Sequence, residues 1–128
     1  MADYAMKWSL RARFDDVLGR IPERLQREGF IVMTRVDIKA TMKEKLGVDF
    51  RRYQILGTCN PNLAIESLQI DLTAGVMMPC SVVVYEVDAI TTVVMAIDTV
   101  ETLGKLDPRL VAVAEDVHKR LHRALSGL

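Results

Sequence analysis

Two β-rich runs in the C-terminal half of the chain are separated by only three residues. Residues 81–87 and 91–97 are rich in valine, and Asp88, Ala89 and Ile90 lie between them. Strands joined by so short a connection pair in antiparallel fashion, because parallel neighbours need a crossover of about a dozen residues or more. The chain therefore folds around an antiparallel hairpin.

Patterns typical of strands and helices alternate along the rest of the sequence. Residues 8–14 alternate apolar and polar side chains with the period of a half-buried strand, whereas residues 17–25 repeat apolar side chains at helical spacing. Asn60-Pro61 and Asp107-Pro108 each place a capping residue before a proline, which is typical of a helix start. The predicted strands are residues 8–14, 30–37, 52–59, 81–87 and 91–97, and the predicted helices are residues 15–28, 38–46, 60–72, a short helix from Asp98 and a last helix over residues 108–126.

These elements predict an α+β fold. About five strands form a largely antiparallel sheet, and helices pack on one of its faces. A mixed sheet with one parallel pair is the alternative. The length of 128 residues predicts a single domain over residues 1–128. Pro22 lies inside the first helix and predicts a kink or a helix that begins late, because proline lacks the backbone donor.

Charge and composition narrow the classes of partner. Seventeen basic and seventeen acidic residues give zero formal net charge, so no overall field attracts nucleic acid or an anionic membrane. The apolar runs are shorter than the roughly 20 residues that cross a bilayer, and the first residues lack the pattern of a secretory signal. We expect a cytoplasmic protein without a membrane or nucleic-acid partner, whose two cysteines are free thiols, metal ligands or redox partners.

Several ordered segments resemble a known prokaryotic family. Residues 29–32 (GFIV), 37–47 (DIKATMKEKLG), 55–61 (ILGTCNP), 79–86 (PCSVVVYE) and 96–98 (AID) are similar to the domain of unknown function 302, most strongly over residues 14–98. The resemblance implies a fold like that of the TATA-binding protein, in the order strand, helix, strands, helix. It also implies a homodimer and an association with sulfur metabolism and thiol-redox chemistry, but no established reaction.

The two cysteines are the candidates for catalytic or redox residues. Cys59 ends a predicted strand directly before a helix N-terminus, where exposed amides and the helix dipole can lower the pKa of a thiol. Cys80 precedes another predicted strand, so the two sulfurs come close if those strands pair. Free cysteine is also among the residue types most often buried, and two inert core side chains are the alternative.

A group of polar side chains in and beside the recognisable segments forms a second candidate site. A lysine close to an aspartate and a tyrosine can bind an anionic ligand or a substrate that exchanges a proton. Lysines on a short helix more often only face water. The candidate ligand-binding residues are Asp37, Lys39, Lys43, Tyr53 and Asn60.

The last predicted helix carries the only pattern that resembles a metal site. Glu115, His118 and His122 lie at helical spacing, and a histidine pair four residues apart can chelate a metal. A specific site needs three or four convergent ligands, and the sequence supplies no fourth. We therefore expect no bound metal and no cofactor.

Methionines can form an adaptable apolar surface, although filling the core is their ordinary role. If Met77 and Met78 are exposed, they suit a dimer contact or a hydrophobic ligand. The hairpin strands are apolar at successive positions, which predicts that helices cover one face of the sheet and a second subunit covers the other. The methionines concerned are Met33, Met42, Met77, Met78 and Met95.

Three classes of function are compatible with these patterns. A homodimeric small-ligand-binding or interaction module requires the fewest assumptions. A thiol-redox or sulfur-carrier protein that uses Cys59 with Cys80 is the second hypothesis. A small enzyme with a pocket near Asp37, Lys39 and Tyr53 is the third, and the lack of any common catalytic motif favours a non-enzymatic role.

Overall fold

A five-stranded antiparallel sheet lies at the centre of the structure, a computed structural model that describes residues 4–128. The strand order is β1-β5-β4-β3-β2, and every neighbouring pair is antiparallel. The predicted α+β fold is therefore confirmed, and the alternative with a parallel pair is wrong. The strands are β1 (Ala5–Leu10), β2 (Ile31–Asp37), β3 (Tyr53–Cys59), β4 (Cys80–Asp88) and β5 (Thr91–Ile97).

Four α-helices and three short 3₁₀ segments connect and follow the strands. The helix α1 packs against α4 and against β4 and β5, whereas α3 packs against α4 and the neighbouring 3₁₀ segments. Within residues 4–128, no helix has the length and apolar character needed to span a membrane. The helices are α1 (Phe14–Arg27), α2 (Ile38–Leu46), α3 (Pro61–Ile70) and α4 (Val111–Leu125), and the 3₁₀ segments are Leu72–Met77, Leu103–Lys105 and Pro108–Leu110.

The core lies between one face of the sheet and the helices. Antiparallel register aligns Leu56, Val82 and Ala96 in one row across this face, and all three side chains are buried. An apolar stripe that begins just before α4 and continues along it faces this core, and all its members are buried. That stripe comprises Leu110, Ala114, Val117, Leu121 and Leu125.

The opposite face of the sheet, which we call the open face, also carries apolar side chains. The register aligns Ile55, Val83 and Met95 in one row, and these side chains are half-buried. In an adjacent row the rings of Tyr53 and Tyr85 stack with their centroids 5.6 Å apart. Side chains alternate between the two faces of a strand, so both faces of the central strands are apolar.

The absence of a side chain at one position of β3 lets another segment approach closely. A Cβ added to Gly57 would overlap the hydroxyl of Thr34 and would lie 2.9 Å from Cγ of Pro79. A glycine at this point therefore allows β2 and the start of β4 to pack against β3.

The N-terminal boundary differs from the prediction. β1 ends at Leu10, and Phe14, which the alternation placed in the strand, instead begins α1 with its side chain buried. The two-residue alternation extends to Phe14 because this side chain also starts the helical apolar stripe. α1 is continuous through Pro22, so the prediction of a helix that begins late is wrong.

The segment after β5 is a turn rather than the predicted short α-helix. The carboxylate Oδ1 of Asp98 accepts hydrogen bonds from the backbone N–H of Val100 at 3.0 Å and of Glu101 at 3.3 Å. The chain then enters the 3₁₀ segment Leu103–Lys105. An aspartate that accepts bonds from nearby amides stabilises a turn as readily as a helix start, so the sequence pattern does not distinguish them.

Candidate functional site

An apolar cavity of about 290 Å³ lies at the end of the sheet where β3 ends and β4 begins. Its walls also include α3, the 3₁₀ segment Leu72–Met77 and one side chain of α4. Every residue that lines it is uncharged. The residues of this apolar cavity are Phe30, Met33, Thr58, Cys59, Asn60, Leu63, Ala64, Ser67, Leu68, Met77, Met78, Pro79, Cys80, Thr99, Leu103 and Val117.

Asn60 fixes the helix that forms one wall of the cavity. Its side-chain Oδ1 accepts a hydrogen bond from the backbone N–H of Leu63 at 3.3 Å, which caps α3 as the sequence predicts. Its Nδ2 donates to the backbone carbonyl of Glu28 at 3.2 Å, at the end of α1. This predicted ligand-binding residue therefore lies in the cavity wall, where its amide holds two helices together.

The buried hydroxyl groups of the cavity wall also donate to the backbone. Thr58 Oγ1 donates to the carbonyl of Cys80 at 2.9 Å and thereby links β3 to β4. Ser67 Oγ donates to a carbonyl one turn earlier in α3 at 2.8 Å, and Thr99 Oγ1 donates to a carbonyl of α4 at 2.6 Å. These donors are used within the protein, so the cavity presents mainly apolar and sulfur-bearing surface.

Both cysteines line the cavity, because β3 and β4 pair as the sequence analysis assumed. Thr58 is the direct partner of Cys80 in the ladder, and Cys59 follows Thr58 by one residue. Successive side chains of a strand point to opposite faces, so the side chains of Cys59 and Cys80 leave the sheet in opposite directions. A disulfide between them would require the backbone to move.

The acidity of the thiols differs from the prediction. Burial raises the pKa of Cys59, opposite to the lowering expected beside a helix N-terminus. The side chain of Asn60 already accepts the hydrogen bond from an amide at that helix end. Burial therefore decides the direction in which the pKa of Cys59 is shifted. Burial and then the neighbouring Cys59 raise the pKa of Cys80 to about 11. Both cysteines are free and half-buried, and Cys80 packs against the core.

Three methionines line the same cavity as the cysteines. Met77 and Met78 are half-buried rather than exposed, and they pack against the core. Met33 lies where the register between β2 and β3 shifts, and 59% of its surface is exposed. The sequence named all three methionines as candidates for an apolar surface but contained no signal for their convergence with the cysteines.

The second candidate group divides between a small polar cleft and the surface. Asp37, Lys39 and Tyr53 line a cleft of about 200 Å³, together with residues that the sequence analysis missed. Lys43 lies elsewhere, exposed, with its Nζ 3.1 Å from the carboxylate of Asp49. The residues of this polar cleft are Phe14, Asp15, Asp37, Lys39, Arg52, Tyr53 and Gln54.

The charged groups of the polar cleft already have protein partners. Lys39 Nζ donates to the backbone carbonyl of Phe50 at 2.7 Å, and Asp37 Oδ1 caps α2 by accepting from a backbone N–H at 3.0 Å. Arg52 pairs with Asp15 at 3.0 Å. Asp15 and Arg52 are far apart in sequence, so no local pattern predicts their contact. These interactions hold the start of α2 and the chain before β3 in place.

The histidines of α4 do not converge with Glu115 on a metal site. His118 Nδ1 lies 3.1 Å from Asp98 Oδ1, and the ring of His122 contacts Trp8 with centroids 5.8 Å apart. Glu115 is exposed. Among residues 4–128, no group of three or more histidine, cysteine, aspartate or glutamate side chains is arranged to hold a metal ion.

Comparison with known proteins adds a family and a structural relative. The family model described as "Domain of unknown function DUF302" matches residues 6–128, which includes the whole of α4. The chain is similar to the crystal structure of an uncharacterized conserved DUF302 protein from Bacillus stearothermophilus, with 31% sequence identity and a TM-score of 0.88 over 97% of each chain. No curated protein matches the chain.

Proposed function

The chain belongs to the DUF302 family, and from the geometry of its apolar cavity we propose that it is a small-ligand-binding module. The lining carries the proposal, because every residue in it is uncharged and its buried hydroxyl and amide donors are directed to backbone carbonyls. A volume of about 290 Å³ lies near the lower end of the range for small-molecule sites. We infer a ligand that is small, uncharged and largely apolar.

Toluene is a suitable first probe, because it has no polar group that the cavity wall would leave unsatisfied. We expect saturable changes in the ¹H–¹⁵N NMR signals of the backbone amides over residues 58–68 when toluene is added. In the variant Ala64→Phe the new ring enters the cavity from α3, so these changes should disappear. The matched control is Ala89→Phe, at an exposed position in the turn between β4 and β5, and it should bind toluene as the natural protein does.

The two variants also define the results that would overturn the ligand-binding proposal. Lack of saturable binding by the natural protein would exclude a cavity that admits a small apolar ligand. Saturable signals that persist in Ala64→Phe would place the binding at another surface. The Ala89→Phe spectrum shows whether an added exposed phenyl ring disturbs the fold, and the Ala64→Phe spectrum shows whether a ring in the cavity does.

We further propose that the functional protein is a homodimer in which a second copy covers the open face. Five strands spaced about 4.8 Å apart and about seven residues long give a face of about 24 by 23 Å. Two such faces bury on the order of 1,100 Å², which exceeds the roughly 1,000 Å² expected of a specific interface. The zero net charge supports self-association, because two copies do not repel each other at long range.

Light scattering at micromolar concentration tests the dimer. We expect a species of twice the 14.4 kDa chain mass, and Val83→Lys should convert it to monomer by placing a charge in the central row of the open face. Val111→Lys is the matched control, since Val111 is 40% exposed at the start of α4. A natural protein that is monomeric, or a Val83→Lys variant that stays dimeric, would contradict the proposal.

Thiol-redox or sulfur-carrier chemistry is a second candidate, favoured by the observation that Cys59 and Cys80 line one cavity. Two free thiols also suit the reducing cytoplasm, in which we place the protein. This candidate ranks below ligand binding because burial raises the pKa of both thiols and the strand register directs them apart. The alkylation rates of the two thiols as a function of pH test it. An enzyme acting at the polar cleft ranks third, because the charged groups there are already paired.

A further inference from the structure

Five sulfur-bearing side chains line the apolar cavity, and we call them the sulfur wall. The chain has seven methionines and two cysteines. Sixteen of the 128 residues line the cavity, which is one eighth of the chain, so composition alone would place about one of these nine side chains there. Sulfur is therefore concentrated at this site. The sulfur wall comprises Met33, Cys59, Met77, Met78 and Cys80.

Three segments that are distant in sequence build the sulfur wall. Met77, Met78 and Cys80 lie on the segment that leads from the 3₁₀ turn into β4. Cys59 is the last residue of β3, and Met33 lies at the register shift of β2. An irregularity of this kind redirects one side chain while the strand on either side stays paired. The pairing of β2, β3 and β4 thus holds all three segments at the same end of the sheet.

We propose that the sulfur wall binds one Cu(I) ion, with Cys59 as the thiolate ligand and methionine thioethers as the neutral ligands. Soft sulfur ligands favour Cu(I), whereas carboxylate, carbonyl and water ligands favour harder ions. The cavity contains no carboxylate or imidazole, since every lining residue is uncharged and none is histidine. Zn²⁺ is a poorer fit, because it takes four ligands drawn mainly from thiolates, imidazoles and carboxylates.

Charge balance favours a single thiolate. When the bond from Cys59 Sγ to copper forms, the thiol proton passes to solvent and copper remains Cu(I), so the thiolate and the ion together are neutral. Thioethers donate lone pairs and add no charge. A second thiolate would leave a net negative charge in a cavity that has no cationic side chain, and burial disfavours such a charge. Cys80, which packs against the core, therefore stays a neutral thiol.

The inference does not rest on the proposed function, because a small apolar ligand needs the volume of the cavity and Cu(I) needs its sulfur atoms. The first test is an anaerobic titration of the reduced protein with Cu(I) in competition with bicinchoninate. We expect one equivalent to bind, with an apparent affinity that rises about tenfold per pH unit between pH 6 and 8, because one proton is released. If the logarithm of the apparent affinity changes with pH with a slope near zero or near two, the single-thiolate site is overturned.

Leucine replaces methionine with little change in volume, so it removes the sulfur and keeps the apolar wall. The variant with Met33, Met77 and Met78 all changed to leucine should bind Cu(I) at least about tenfold more weakly, since even indirect support of a metal site is worth that much. The matched control changes three methionines outside the cavity, Met6, Met42 and Met95, to leucine and should keep its affinity. Equal Cu(I) affinity in the two triple variants would overturn the proposal.

Cysteine variants and toluene complete the test. Cys59→Ser should abolish competition with bicinchoninate, whereas Cys80→Ser should retain it, and the reverse pattern would overturn the ligand assignment. The cavity methionine variant should still bind toluene, because its cavity keeps its volume and apolar character. That result shows that the fold and the ligand site survive, so a failure of copper binding is distinguishable from a failure of the proposed function.

Discussion

Cys59 and Cys80 should react with iodoacetamide at very different rates in the metal-free protein, although both line one cavity. Only the thiolate reacts, so the rate at a fixed pH follows the fraction of thiol that is ionised. Burial raises the pKa of both residues, and the neighbouring Cys59 adds to the effect at Cys80. We therefore predict that Cys59 reacts faster than Cys80 and that both react more slowly than in the unfolded chain.

The expected difference follows from the pKa of Cys80, which rises from 9.0 to about 11. At a pH below the pKa, each unit by which the pKa is raised lowers the thiolate fraction tenfold. At pH 7, folded Cys80 therefore has about one hundredth of the thiolate of an ordinary cysteine. Packing against the core slows the reagent further. Cys80 should thus react at least about 100-fold more slowly than in urea, with a rate that is still increasing as the pH reaches 10.

Mass spectrometry of samples quenched at successive times between pH 6.5 and 10 measures these rates. The variants Cys59→Ser and Cys80→Ser assign each rate to one thiol, and the protein unfolded in urea supplies the reference rate. A Cys80 rate that levels off below pH 9 would refute the argument from burial. A Cys59 rate that titrates below the ordinary thiol pKa of 9.0 would move thiol chemistry ahead of ligand binding.

Stability measurements test the frame around the cavity. Gly57→Ala should destabilise the protein by about 1–3 kcal/mol in urea unfolding, because the new methyl group overlaps packed side chains. Gly19→Ala, in α1 with no atom within 4 Å of the new methyl, should instead stabilise it by about 0.5–1 kcal/mol. Asn60→Ala should lower the free energy of unfolding by at least about 1 kcal/mol, because it removes the cap of α3 and the hydrogen bond to the end of α1. Asn62 is exposed on the same helix, and Asn62→Ala should lower the free energy of unfolding by less. The raised pKa of Cys80 means that folding favours its neutral thiol. The neutral thiol therefore contributes about 2–3 kcal/mol to the free energy of unfolding below pH 9, and this contribution is lost as the pH rises to about 11. Cys80→Ala should remove this loss of stability at alkaline pH.

Elements whose limits depend on local chemistry were predictable from the sequence. α2 begins after Asp37, whose carboxylate caps it, and ends at Gly47, which has a φ of 66°. Both signals act within a few residues, and the observed bounds are those predicted. The displaced end of β1 has a different origin, because Phe14 satisfies the strand period before it and the helix period after it. Only packing of α1 against the sheet decides between the two.

The candidate site was predictable only where strand pairing determines it. Cys59 and Cys80 were expected at one end of the sheet because they flank strands that pair with each other. Thr99 and Val117 enter the same cavity from the turn after β5 and from α4, and their positions depend on how helices pack. The polar cleft shows the same limit, because its ion pair joins residues from the start of α1 and the start of β3. No periodicity in a single segment encodes such contacts.

The polar and sulfur-bearing residues of the cavity have separable roles. Thr58 links two strands, Asn60 links two helices, and Thr99 links the turn after β5 to α4, each through a hydrogen bond to the backbone. Loss of one of these hydrogen bonds should shift the cavity walls. The free energy of unfolding and the affinity for a ligand should then decrease together. The methionines and Cys59 line the cavity. Replacing the methionines with leucine nearly conserves their volume, so this change should weaken Cu(I) binding with little effect on stability. Mutations that separate the two effects therefore identify the surface that contacts the ligand.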